Sequence, residues 1–128
     1  MQGNGTSSRY VLLGVLAGLS FTLGTAMAGE ADVLAVEATE TGDGVWSFSV
    51  TVEHADDGWE HYADAWVIVS PDGKILGERV LLHPHDNEQP FTRSLGNVPI
   101  PEDVTKVIVR AKDLVHGFGG KEMTVSLR

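Results

Sequence analysis

The chain carries five histidines in three short segments: His54 and His61, His83 and His85, and His116. Imidazole is a common ligand for divalent transition metals, and carboxylates often accompany it. Asp56, Asp57, Glu60, Asp86 and Glu88 lie in two of those segments, so the chemistry on offer is sulfur-free N/O ligation of a metal ion. His83-Pro84-His85 is the sharpest local pattern. Proline fixes its own φ and pushes the residue before it toward extended geometry. In an extended segment, residues i and i+2 point to the same side. The spacing therefore predicts two imidazoles side by side, preset for one ion.

The other three histidines have their own contexts. His54 continues the alternation of Trp46, Phe48, Val50 and Val52, which puts it at the rim of the core, partly covered. A histidine there often does no more than satisfy a backbone partner. His61 follows Asp56-Asp57-Gly58-Trp59-Glu60, and His116 precedes Gly117-Phe118-Gly119-Gly120, a backbone able to approach a ligand closely or move aside. The candidate metal ligands are thus His83, His85, His61, His116 and His54. Cu(II) or Zn(II) suits such a set, with Cu(II) the tighter in the usual affinity order. Met1 and Met27 fall in a leader and Met123 stands alone, so a Met-rich Cu(I) site is not expected. The helical His-Glu-x-x-His motif of zinc hydrolases is missing, and no serine sits in a nucleophile-elbow sequence. The chain is therefore read as a non-enzyme.

These residues must be positioned by strands. Between Gly, Pro and Asp punctuation the apolar pattern has period two, and nothing shows helical spacing. Candidate strands run over residues 33–39, 46–53, 63–70, 75–82, 91–95, 104–112 and 121–127. Trp46 to Val52 alternates cleanly, as a strand with one face in water does. Residues 63–70, with Trp66, Val67, Ile68 and Val69, are apolar on both faces and read as central. Pro71-Asp72-Gly73-Lys74 is a tight turn joining that strand to the next. Residues 97–103, with Pro99 and Pro101, read as a loop because proline cannot donate to a sheet. The pattern predicts an all-β fold, a seven-stranded antiparallel immunoglobulin-like (fibronectin type III-like) β-sandwich, with a cupredoxin-like barrel as the alternative. Either Trp46 or Trp66 would be its buried tryptophan. If each strand crosses the sandwich once, the second, fourth and sixth loops share one end, and these hold all five histidines. Trp59, Tyr62, Phe91 and Phe118 gather there too, and Arg93 is placed to pair with a carboxylate of that end.

Residues 1–28 read as a signal peptide. A polar start with one Arg precedes an apolar stretch from Tyr10 to Leu23, too short for a typical spanning helix. Ala26-Met27-Ala28 places small residues at −3 and −1 of a cleavage site before Gly29. Residues 29–128 then form one small β-sandwich domain, periplasmic or secreted, with no membrane insertion after cleavage. The formal net charge is −9, and loss of the leader's Arg makes it one unit more negative. Such a surface repels phosphate backbones, so no nucleic acid is expected as a partner. The chain has no cysteine, which excludes thiolate ligands, a Cys nucleophile and a lipidated cysteine at the processing site.

An exported, cysteine-free β-sandwich with histidines in its end loops and a His83-Pro84-His85 pair resembles the small periplasmic copper-carrier proteins of immunoglobulin-like or cupredoxin-like fold. The resemblance implies a copper cargo held at the loop end. Those carriers often use an N-terminal histidine or Met-rich motifs, whereas here Gly29 follows the proposed cut and no Met cluster exists. Two functions follow from the residues. One is the binding of a divalent transition metal at the histidine pole. The other is a non-enzymatic Ig-like interaction module whose pole contacts an envelope protein, its histidines being structural.

Overall fold

A computed structural model of the chain describes residues 8–11 and 29–128. Two antiparallel sheets face each other across one core. The first has the order β1 (Ser8–Val11), β2 (Asp32–Gly42), β3 (Val45–Glu53) and β6 (Phe91–Pro99). The second has β5 (Ile75–Val80), β4 (Ala63–Val69) and β7 (Lys106–Asp113), with β8 (Gly117–Phe118) and β9 (Met123–Ser126) both paired to β7. The chain changes sheet from β3 to β4, from β5 to β6 and from β6 to β7. No helix among the described residues is long and apolar enough to cross a membrane.

Alternation along the strands explains the layering. On β3, Trp46, Phe48, Val50 and Val52 are buried while their neighbours are not. On β7, Val107, Val109 and Ala111 do the same. β4 is buried on both faces over its last five residues, as befits a strand with partners on either side. Trp46 and Trp66 are both buried, one from each sheet, so neither alone is the central tryptophan. Met123 is a core residue on β9. The whole apolar core lies between Ala31 and Leu127.

Three expectations need correction. Residues 29–128 form eight strands, not seven, because a short extra strand, β8, forms in the expected loop before the last strand. β8 pairs with Lys112 and Asp113, β9 with Lys106–Val109, and the chain steps off the β7 edge between them. The start of β2 occupies that break. Val33 N–H donates to Lys121 O at 2.8 Å, and Lys121 N–H donates to Asp32 Oδ1 at 2.7 Å. Second, β6 runs on to Pro99 where a loop was expected from residue 97. One extra residue is taken up between the Trp46↔Val98 and Phe48↔Leu95 pairs, and Asn97 has a φ of 58°. Asparagine tolerates that left-handed geometry, and the bulge lets the ladder resume as far as a terminal proline. Third, Gly119 and Gly120 do not sit in open space. They are pressed against the Glu30 carboxyl and the Ala31 carbonyl.

Of the proposed leader, only Ser8–Val11 is described, antiparallel to Val36–Thr39. The apolar stretch beyond Val11 and the cleavage site at Ala26-Met27-Ala28 lie outside the described residues.

Close approach at Gly120 yields a direct prediction. A Cβ there would overlap the Ala31 carbonyl, which is backbone and cannot yield cheaply. Gly120→Ala should destabilise by about 1–3 kcal/mol or more, lowering Tm by roughly 4–8 °C per kcal/mol. Gly96→Ala, where a Cβ meets nothing within 4 Å, is the control expected to leave Tm nearly unchanged.

Candidate metal centre

The strand alternation that builds the core runs on past it, and two polar residues inherit inward positions. His54 follows Val52 at the end of β3, and Asp113 follows Ala111 at the end of β7; both are buried. They meet across the sandwich, with His54 Nε2 3.6 Å from Asp113 Oδ2. His61, in the loop after β3, brings its Nε2 to 3.4 Å from Asp113 Oδ1 and stands edge-on to His54, ring centroids 4.8 Å apart. His54, His61 and Asp113 each offer one ligand atom within 4.8 Å of the others. A tetrahedral metal with bonds of about 2.0–2.1 Å needs ligand atoms roughly 3.4 Å apart. Each imidazole is near that separation from one of the two Asp113 oxygens, His54 from Oδ2 and His61 from Oδ1.

A second carboxylate orients the group. Asp56 has a fully buried side chain, and its Oδ1 lies 2.6 Å from His54 Nδ1. Asp56 also accepts the backbone N–H of Ala63 at 3.0 Å and of His85 at 2.7 Å. Gln89 reinforces the link between loops, accepting from His54 N–H at 3.0 Å and donating to His85 O at 3.1 Å. Asp56 Oδ1 can only accept, so it takes an Nδ1–H, and the Gly29 carbonyl, 3.2 Å from Nε2, likewise can only accept. Nε2 also faces Asp113 Oδ2 at 3.6 Å.

Asp113 is held ionised by its own turn. Burial by itself would raise its pKa, but the backbone N–H groups of His116 and Val115, the His116 ring and the His54 charge together hold the carboxyl below its ordinary range. Those N–H groups reach Oδ1 at 2.7 and 2.8 Å, and His116 Nδ1 lies 3.1 Å from the same atom. Oδ2 is buried with no hydrogen-bond partner, as is His61 Nε2. His116 is more open to solvent and lies 5.2 Å from His61 between ring centroids.

The His83-Pro84-His85 pair is adjacent, with centroids 4.8 Å apart, but its two rings occupy different environments. His85 is buried and stacked on Phe91 at 4.0 Å and 9°, while His83 is exposed, its Nδ1 3.1 Å from Pro84 O. Neither belongs to the His54–His61–Asp113 group. They line an open pocket of about 580 Å³ with Trp59, Pro84, Asp86 and Glu88. His85 Nδ1 is 3.9 Å from Asp56 Oδ2, so Asp56 stands between the two histidine groups. Extended geometry brought the pair together without fixing the depth of either ring. Of the other loop carboxylates, Asp86 accepts from Gly58 N–H at 3.2 Å, and Glu88 pairs with Arg93 at 3.1 Å, a bond that holds its pKa below the usual range.

Asp113 and Gly29 were not among the residues picked out from the sequence. The signal for Asp113 was available, since it has the same parity on β7 that singled out His54 on β3. Gly29 had no local signal, because its neighbours in space are 25 residues away or more in the chain.

Comparison with known proteins adds one relative. A Halomicrobium mukohataei protein that carries only the provisional name of lipoprotein is 45% identical over 96 residues, covering 75% of this chain and 47% of that protein. The chain thus spans about half the length of the relative it matches. No family model and no solved structure matches. This chain has no cysteine to carry a thioether-linked lipid.

His85 gives a pH prediction. Burial first, then the charges of Arg93 and His83, push its pKa below the ordinary 6.5, against weaker opposite effects of Asp56 and Glu88. The folded state therefore favours the neutral ring. Stability from this site is complete above the ordinary value and is lost as pH falls from there through the lowered folded value. Melting with chelator present should show Tm falling on acidification below about pH 6.5, and His85→Leu should flatten that fall. An equal slope in the variant would assign the pH dependence elsewhere.

Proposed function

We propose that this protein is an exported fibronectin type III-like β-sandwich that binds a divalent transition metal, Cu(II) or Zn(II), at its histidine pole, as a non-catalytic carrier or buffer. The observation that carries the reading is the buried convergence of electron-rich atoms. Asp113 Oδ2 and His61 Nε2 have no hydrogen-bond partner, and His54 Nε2 lies 3.6 Å from the former. Buried polar atoms are normally satisfied, and a metal ion that displaces the ring protons would give both orphaned atoms and His54 Nε2 one common partner. The ligands are His54, His61 and Asp113, with His116 at the open side. Asp56 fixes the ring and tautomer of His54, the outer-carboxylate role common at histidine metal sites.

Export is supported by the small residues at positions 26 and 28, and an envelope location by the name of the relative. The acidic surface favours a cation over a nucleic acid. Beside the same pole, exposed His83 is in reach of metal arriving from solvent, with buried His85 adjacent to it.

A second reading has its own observation. Trp59, Leu82, Leu114 and Val115 are exposed around the pole. Aromatic and aliphatic side chains left in water at a loop end favour contact with another protein. An envelope protein that receives or delivers the metal satisfies both readings.

Calorimetric titration of the metal-stripped protein with Cu(II) and Zn(II) tests the proposal. One equivalent should bind with proton release, since ligating imidazoles must be free of protons. His61→Ala and Asp113→Asn should abolish tight binding. Asp56→Asn should weaken it by about 10–100-fold, and the His83→Ala/His85→Ala variant should weaken it less than either ligand change. Unchanged affinity in Asp113→Asn would refute this ligand set.

A further inference from the structure

Gly29 is built into the pole. Its carbonyl oxygen lies 3.2 Å from His54 Nε2, and its Cα rests on the His116 ring. A Cβ at residue 29 would meet His116 Cε1 at 2.9 Å and Nε2 at 3.0 Å, so only glycine fits without moving that imidazole. The residues that follow are locked. Ala31 is buried, Asp32 accepts from Lys121 N–H at 2.7 Å, and the Ala31 carbonyl lies against Gly120. The glycines after His116 thus admit the segment that delivers Gly29 to the histidines.

The residue so delivered is the one that Ala26-Met27-Ala28 marks as the first after cleavage. Before the cut, its nitrogen is a peptide amide, whose lone pair is delocalised and unavailable to a metal. Hydrolysis of the Ala28–Gly29 bond by an export peptidase consumes one water, leaving a carboxylate on Ala28 and an amine on Gly29. Backbone geometry keeps that amine close to the carbonyl oxygen of its own residue. Together the two atoms can close a five-membered chelate ring on an ion held by His54, His61 and Asp113.

We propose that processing before Gly29 completes the metal site, the new α-amine and the Gly29 carbonyl joining the side-chain ligands. The inference rests on the metal-binding reading above. It makes the precursor a weak binder and the exported protein a tight one, so that the chain loads after it leaves the compartment of synthesis.

The test uses the full chain expressed with its leader in an exporting host, with Cu(II) as a paramagnetic probe. Three forms are compared: the processed protein, an uncut precursor carrying Ala26→Leu/Ala28→Leu, and a processed protein with one alanine inserted after Ala28, which moves the amine one residue outward. Intact mass should place the native N-terminus at Gly29. The native form should bind Cu(II) roughly tenfold or more tightly than either variant, on the scale at which one partner alters a metal site. Glycine ¹⁵N labelling should change the copper superhyperfine pattern in the native form only. Equal affinity in all three, with no isotope effect and with binding still lost in Asp113→Asn, would overturn the role of the amine and leave the side-chain site standing. A native N-terminus at any other residue would overturn it too. Failure of every form to bind copper would remove both this inference and the reading beneath it.

Discussion

The pole is organised by a buried carboxylate. Asp56 takes one hydrogen bond from the His54 ring, one from the backbone at the start of β4 and one from the backbone of His85. Those donors come from the end of one sheet, the start of the other and the loop between β5 and β6. A charge taken so far out of water is tolerable only when its lone pairs are occupied, and here three donors occupy them. In turn Asp56 sets the ring plane and proton of His54, and through them the direction in which the remaining nitrogen looks. Replacing it would do more than remove a bond; three loops would lose their common reference.

The second carboxylate, Asp113, has the opposite character. One of its oxygens is saturated by its own turn and the other is left without a partner. Stability alone gives no reason to bury such an atom, since an apolar residue at that inward position would extend the core. The proposed ion would give that unpartnered acceptor its partner. In the proposed site Asp56 builds the frame and Asp113 faces the ion.

Most of the fold was legible because burial has period two in β3 and β7, while β4 is apolar on both faces. The same rule placed His54 correctly at the core edge. It was not carried on to Asp113, because the expected strand ended at residue 112. His83-Pro84-His85 shows a different limit. Proline sets direction along the chain, but depth depends on Phe91, which draws His85 inward and leaves His83 in water. The short strand β8 and the position of Gly29 were not legible at all. Both depend on a close approach between residues 29–33 and 116–121, and nothing in either segment announces the other. Glycines that read as freedom to meet a ligand turn out to be room for another stretch of backbone.

The central claim is that one metal ion sits among His54, His61 and Asp113. Anomalous X-ray diffraction from crystals of the Zn(II)-loaded processed protein, collected on both sides of the zinc edge, tests it most directly. The account predicts one strong peak about 2.0–2.2 Å from His54 Nε2, His61 Nε2 and an Asp113 oxygen. A peak confined to His83 and His85, or no ordered peak at the pole, would contradict it.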